Sequence, residues 1–345
     1  MKRAVTIQDI AKQLNMSRNT VAKALNGQYV PEKTRLAVLN KAREMNYKSM
    51  SASRIEVGRK RYRLLLISGK PLNNINYFIP LIRGIENICY ERNYELFQYT
   101  FNDAKLPFKE LNDYIDGLKV DGIIAIECFD KDFIGRLLNI GIPICFNDFA
   151  ASEINSDKNY DVISADDRYA VYRLVKLLNL KYKITKFTFV GDNKHCLSFR
   201  ERYYGMLTAL LSARCPHMRA NDILKSDAAF SYGNVESVKA EILQLKHRPE
   251  CFVCCNDFVA RNVCNALKAI GTAVPRQTIV VGFDDVAEAV ASEPFITTFS
   301  VDKEFMGEET VRTLIGRIEN PSSPKKTIAL SSSLILRQST GAFLT

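Results

Sequence analysis

A group of polar side chains near the start of the chain has the types and spacing needed to read duplex DNA. Arg18, Asn19, Ala22 and Lys23 share the solvent side of one helix, with Arg18/Ala22 and Asn19/Lys23 at i, i+4. Arginine and lysine can meet guanine edges or phosphates, and asparagine can pair bidentately with adenine. Ser17 and Thr20 stand at the head of that helix, where hydroxyls can bond phosphate oxygens beside the positive end of the dipole. A single helix of this kind is equally an ordinary solvated face of a small bundle; charge distribution separates the two.

Short helices are needed to position these groups. Thr6 can cap a first helix by accepting a bond from the Asp9 backbone N–H. Ile7, Ile10, Ala11 and Leu14 then form one apolar face. Asn15 and Met16 break the pattern, Ser17 offers a second cap, and Val21, Ala24 and Leu25 line a new apolar face. Asn26-Gly27 supplies a stop, because both residues tolerate a left-handed backbone. Pro31 opens a third helix running to about Met45, whose Val38, Ala42 and Met45 close the bundle. Tyr29, Thr34 and Arg35 lie where that segment could meet phosphates, and Thr6 and Asn26 are further candidate DNA contacts.

The chain has 345 residues, enough for two or three domains, and carries a net charge of +10. Residues 1–63 hold 15 Lys/Arg against 4 Asp/Glu, whereas the rest hold 33 against 34. All the excess positive charge therefore sits on the paired-helix segment, the footprint of a polyanion-binding module on a neutral body. No long amphipathic stripe accompanies the charge, so duplex DNA is favoured over a membrane surface. MKRAVTIQDIA has no apolar run of signal-peptide type and no window approaches a transmembrane span. Nine cysteines, scattered through apolar runs, point to a reducing cytoplasm rather than a disulfide framework.

Residues 49–63, SMSASRIEVGRKRYR, are short, polar and basic. They suit either a plain linker or a segment that folds on DNA and presses Ile55 into the minor groove. From Arg63 onward the texture becomes alternating strands and helices. Strands are expected at 63–68, 94–101, 120–127, 143–148, 186–190, 222–225, 251–255 and 278–282. Helices are expected at 78–93, 107–118, 133–140, 167–180, 200–212, 235–245 and 260–270. Two such sets imply two α/β lobes with parallel sheets, and ligands collect at the carboxyl ends of their strands.

At this point the residues resemble a family. TIQDIAKQLNMSRNTVAKALNG followed by VPEKTRLAVLNKAREMNY is similar to the reader of the lactose-repressor/galactose-repressor (LacI/GalR) family of bacterial transcription factors. NYFIPLIRGIE, VDGII, GIPICFND, SFRERYYGMLTAL, NDFVA, VPRQTIVVGFDD and LILRQSTG (334–341, the family's last strand) resemble that family's core motifs in order. The resemblance spans residues 6–341. It implies an N-terminal all-α helix-turn-helix (lambda-repressor-like) domain at 1–48, a hinge at 49–63 and an effector-binding core at 64–345. The core would be periplasmic-binding-protein-like, with two doubly wound lobes at about 64–167 plus 296–327 and 168–295 plus 328–342. A homodimer on a palindromic operator is implied, because one reader contacts only a few base pairs. The family's optional tetramerising leucine-heptad tail is not expected, so a dimer is.

The resemblance also carries over effector positions. Asp148 and Asp284 are carboxylates at strand ends, Arg202 reaches into the cleft, Ser198 lies one turn before it, Asn256 sits in the NDFVA turn, and Phe78 can form an aromatic wall. Such a set suits a polyhydroxylated ligand, since each hydroxyl both donates and accepts. Structural roles compete for some of them: Asp285 could cap a helix, and Asn256 or Asp257 could only hold their turn. The chain departs from the family at Ser49 for proline, at ASRI (52–55) for A-R-S-L, at Asp167 for asparagine and at Arg261-Asn262 for a small pair.

Enzyme chemistry finds little support. His195, His217 and His247 are widely separated, and Cys251-x-x-Cys254 lies inside an apolar run that reads as a buried strand rather than a metal site. No phosphate-cradling glycine loop is present, and no cofactor is expected. The expected function is a sugar-responsive repressor of carbohydrate-use genes released by an inducer. A co-repressor-dependent regulator and a solute-binding module without regulatory role are the alternatives.

Overall fold

A computed structural model describes residues 5–25, 30–45, 61–69, 72, 77–100, 108–151, 160–214, 222–225, 230–291 and 293–341. The chain divides into two units, Met1–Arg61 and Tyr62–Thr345. The first contains α1 (Ile7–Gln13), α2 (Arg18–Leu25) and α3 (Glu32–Glu44). No one of these helices can bury its apolar stripe alone; Ile10, Ala11, Val21, Ala24, Val30, Val38 and Ala42 together make one small core. Thr6 forms a reciprocal capping box with Asp9, as its spacing demands. The turn between α1 and α2 passes through Asn15 at φ 51°, a conformation asparagine tolerates better than most residues. Of the hinge expected at 49–63, residues 49–60, with Ile55 and the ASRI stretch, lie outside the described residues, as do Asn26, Tyr29 and the Arg35 side chain, while Arg63 already begins a strand.

In the second unit, continuous apolar runs build parallel sheets covered on both faces. The first lobe has β1 (Arg63–Ser68), α4 (Phe78–Arg92), β2 (Glu95–Thr100), α5 (Phe108–Leu118), β3 (Gly122–Ile126), α6 (Lys131–Asn139), β4 (Ile144–Asn147) and β5 (Asp161–Ala165). The second has α7 (Asp167–Tyr182), β6 (Phe187–Val190), α8 (Leu197–Ser212), α9 (Val235–Leu243), β7 (Cys251–Cys254), α10 (Asp257–Ala269) and β8 (Ile279–Val281). The chain then runs through β9 (Thr298–Ser300), α11 (Lys303–Glu319), β10 (Thr327–Leu330) and β11 (Ser333–Ile335). The large sheet is wholly parallel in the order β10-β5-β4-β3-β1-β2. Alternation along β1 sends Leu64 and Leu66 to the face that carries Leu81 and Ile85 of α4 and Val311 and Leu314 of α11. Leu65 and Ile67 go to the other face, with Leu111 of α5 and Leu137 of α6. The smaller sheet, β6-β7-β8, is also parallel, and its strands are buried throughout.

Helix pairs in both lobes approach to backbone contact through glycine. A Cβ on Gly84 of α4 would strike the Glu304 carbonyl, and one on Gly307 of α11 would strike the Leu81 carbonyl. In the second lobe a Cβ on Gly205 of α8 would strike the Arg168 carbonyl of α7.

Several expectations need correcting. β5, β9, α11 and β10 are elements that the sequence pattern did not announce. The buried side of α11 explains one of them: Gly307, Thr310, Thr313 and Arg317 face inward beside Met306, Val311 and Leu314, so its apolar period is diluted. Arg317 is held there by Asp161 at 2.6 and 3.0 Å, which satisfies an otherwise costly buried cation. The strand expected at 222–225 is a single bridge of Ile223 to Val190. The strand expected at 334–341 ends at Ile335. The lobe boundaries move as well. α7 opens at Asp167 and packs on α8, and Thr297 bridges Val281, so 296–300 belongs with the second lobe. β10 pairs with β5, so the chain returns to the second lobe after Leu330 rather than at 328.

Candidate functional site

The reader presents its polar groups as the spacing demands. Arg18, Asn19 and Lys23 are exposed on α2, opposite the buried Val21 and Ala24. Ser17 Oγ accepts from the Thr20 backbone N–H at 3.0 Å and lies 2.8 Å from Thr20 Oγ1, so the hydroxyls that begin α2 also cap it. Thr6 donates its hydroxyl to Asp9 and is committed to the cap of α1. Thr34 is half-buried on α3.

In the core, a cavity of about 410 Å³ opens between the lobes at the carboxyl ends of the strands. Phe78, Asp148, Ser198, Arg202, Asn256 and Asp284 all line it. Phe78 begins α4, Asp148 follows β4, Ser198 and Arg202 lie one turn apart on α8, Asn256 caps α10, and Asp284 follows β8. The 206 residues between Phe78 and Asp284 collapse to one cleft because these side chains come from strand ends and from the first two turns of helices.

Arg202 organises the wall of the second lobe. It is buried, donates from Nε to Asp167 Oδ1 at 2.7 Å, from Nη2 to Asp284 Oδ1 at 3.1 Å and from Nη1 to the Cys255 carbonyl. Its guanidinium lies 3.6 Å from the centroid of the Phe283 ring, a cation–π stack away from water. Asp167, the departure from the usual asparagine, is thus the buried partner of this arginine. Burial pushes its carboxyl up to about 7, although Arg202 pulls it down.

Asp148 crosses the cleft. Its Oδ2 accepts from Ser198 Oγ at 2.6 Å, while Oδ1 accepts from the Ser198 N–H at 3.1 Å and the Phe149 N–H at 2.7 Å. One carboxylate therefore joins the end of β4 to the start of α8. Asn256 Oδ1 accepts from the Val259 N–H at 3.0 Å, which leaves its NH2 as the group a ligand could use. Asp257 points away into the fold, where its Oδ2 accepts from the Val286 N–H at 3.0 Å; burial pushes its carboxyl up to about 7. Asp285 does not cap a helix: it pairs with Arg337 at 2.5 Å. Cys251 and Cys254 are buried along β7, their thiols pushed up by burial, as a core strand requires.

Tyr77, Glu127, Phe129, His195, Cys196, Phe199, Phe258 and Val286 complete the lining, and the sequence reasoning named none of them as cleft residues. Glu127 was findable, because it ends the strand VDGIIAIE where ligands collect. His195 had no partner in sequence, yet its ring lies 5.0 Å from Phe129 and 5.6 Å from Phe199, so it touches both lobes.

Comparisons with known proteins agree with this architecture. A family model described as periplasmic binding protein-like domain matches residues 178–340. The ribose operon repressor of Haemophilus influenzae is 27% identical over 341 residues, covering 97% of this chain and 98% of its own. The HTH-type transcriptional repressor PurR of Mannheimia succiniciproducens is 26% identical over 348 residues, covering 97% and 98%. Among solved structures, the transcriptional regulator CelR–cellobiose complex superposes with a TM-score of 0.69 at 21% identity, covering 97% of this chain and 99% of that one, which shows a shared fold. The chain is thus similar along nearly its whole length to two named transcriptional repressors, carries a periplasmic binding protein-like domain, and shares its fold with the CelR–cellobiose complex.

Proposed function

We propose that the chain is a ligand-responsive, sequence-specific DNA-binding repressor of carbohydrate-use genes, released by a sugar-like inducer. It acts in the cytoplasm as a homodimer on a palindromic operator and is nucleoid-associated when bound. The observation that carries this reading is the meeting of Phe78, Asp148, Ser198, Arg202, Asn256 and Asp284 in one interlobe cleft. Carboxylates, an amide and an aromatic ring at that place match the paired donors and acceptors of a polyol. Relatives named as a ribose operon repressor and as CelR bound to cellobiose support a sugar as the effector class.

On DNA, Arg18 and Lys23 neutralise phosphate or meet guanine, Asn19 reads adenine, and Ser17, Thr20, Thr34 and Arg35 position the helix on the backbone. Tyr29 and Asn26 flank the reader, and Ile55 is the hinge side chain for the minor groove. In the core, Asp148 ties β4 to Ser198 of α8, so a ligand hydroxyl that competes for this carboxylate changes the contact between lobes. Differential binding to two lobe arrangements is all that is needed to shift operator affinity.

Fluorescence anisotropy on labelled duplex from upstream of the chain's own gene tests the reading. Binding should weaken steeply with salt and be reversed by a sugar. No salt-sensitive binding would leave a solute-binding module, and tightening by the ligand would make it a co-repressor.

A further inference from the structure

The second lobe holds a smaller cavity that the effector reading leaves unused. It measures about 200 Å³ and lies between the last turns of α9 and α10, against β7. Phe252 is the second residue of β7 and Thr278 immediately precedes β8, so this cavity sits toward the amino ends of strands whose carboxyl ends face the effector cleft. Ile242, Leu245, Phe252, Leu267 and Ile270 form its apolar walls. About 150 Å³ of such space is enough for a benzene ring, whereas drug-sized ligands take roughly 300–1,000 Å³. The volume suits a single ring.

The polar lining is cationic or neutral: His247, Arg248, Thr272 and Thr278, with no carboxylate among the described lining residues. Arg248 is exposed at the rim and makes no ion pair or side-chain hydrogen bond with any described residue. Carboxylates on the surrounding segments are committed elsewhere. Glu250 Oε2 accepts from the Thr185 and Lys186 N–H groups at 2.8 and 3.0 Å, and Glu241 pairs with Lys225 at 3.1 Å. Lys246 and Lys268, exposed on the same segments, add to the positive sign. Both helices end here on carbonyl groups, which would favour a cation, but turn N–H groups answer them: Leu245 donates to the Ile242 carbonyl, Gly271 to Lys268 and Thr272 to Leu267. On the inner wall Thr278 is 3% exposed and its hydroxyl has no partner among the described residues, so the cavity keeps one hydrogen-bonding group that the fold leaves unused. An apolar ring is driven into such a cup by burial, and a carboxylate on that ring meets a guanidinium whose planar fork matches it. We propose that this cavity is a second small-molecule site, for a single-ring carboxylic acid whose ring packs among Ile242, Phe252 and Leu267 while Arg248 holds the carboxylate beside His247.

Methyl NMR spectra of the full chain, labelled at isoleucine, leucine and valine, locate the ligand while it is titrated. The panel is benzoate, phenylacetate and cyclohexanecarboxylate, each beside its neutral amide, at millimolar concentration and neutral pH. At least one acid should shift the methyl signals of Ile242, Leu267 and Ile270 and leave Val286 of the effector cleft unmoved. That acid should bind more tightly than its amide by on the order of tenfold, the difference between a neutral hydrogen bond and one to a charged group. Arg248→Gln, a change at an exposed position, should remove the preference for the acid while the amide binds as before. An amide bound as tightly as its acid overturns the proposal, as does a preference that survives Arg248→Gln or an acid whose shifts fall at Val286. A panel that moves none of the three methyl signals overturns it too. The reading of the interlobe cleft stands or falls separately, on the anisotropy assay.

Discussion

Replacing Arg202 with methionine perturbs the most heavily bonded cation of the cleft. The substitution keeps much of the apolar volume against Phe283 but withdraws every donor to Asp167, Asp284 and the Cys255 carbonyl. Asp167, only 3% exposed, would then face neighbouring carboxylates with no cation. Breaking a buried pair in this way costs about 3–5 kcal/mol, against about 1 kcal/mol or less for an exposed pair. Protonation offers a partial escape. Burial already pushes the Asp167 carboxyl up to about 7 with Arg202 in place, and loss of the guanidinium raises it further. A carboxyl raised on folding favours the folded state below its unfolded value, 3.8, and that contribution is lost as pH rises through the folded value. The penalty of Arg202→Met should therefore be largest at alkaline pH and fall as the solution is acidified. Urea unfolding followed by far-UV circular dichroism reads it, since the chain has no tryptophan to serve as a fluorescent probe. The double variant Arg202→Met/Asp167→Asn, which removes the stranded carboxylate, should recover a large part of the loss. A single variant within about 1 kcal/mol of the parent at alkaline pH, the range expected of an exposed pair, would refute the reasoning. So would a double variant no more stable than the single one.

On the reader, Asn19→Ala should cost about 1–3 kcal/mol of discrimination at one base position, measured by competition between operator variants. Lys23→Ala should weaken binding to all sequences and lower the salt slope by about one, read from anisotropy at several ionic strengths. Gly307→Ala should destabilise the core more than an ordinary helix substitution, because its methyl must displace the Leu81 carbonyl; an unchanged unfolding midpoint would contradict the close crossing. Asp257→Asn should flatten the pH dependence of the midpoint between about 4 and 7, because burial pushes Asp257 up to about 7 and its favourable contribution fades as pH rises across that window.

The reader was legible because every signal there is local: a capping threonine three residues before its partner, apolar positions at helical spacing, and a charge excess confined to one segment. The cleft was legible in part, because the family resemblance carried over strand-end positions such as Asp148 and Asp284. Other features depended on contacts between distant segments. The Asp148–Ser198 bond spans 50 residues, and the chain's three passages between lobes follow from which strand β10 pairs with, information no window of sequence holds. α11 was hidden for a related reason: its inward face uses Gly307, Thr310 and Arg317, whose burial makes sense only beside Gly84 and Asp161.

The glycine crossings bear on how a bound molecule makes itself felt at a distance. Where Gly84 meets the backbone of α11 and Gly307 meets that of α4, the two helices have no side-chain cushion between them and cannot slide without collision. Phe78 at the head of α4 is a cleft wall, so a push on that ring is delivered to α11 and to the strands β3, β4 and β5 that α11 packs on, with little lost to internal give. Gly205 does the same for α7 and α8, which carry Asp167 and Arg202. Each half of the core should consequently turn as a stiff plate, leaving the compliance to the three strands of chain that join them.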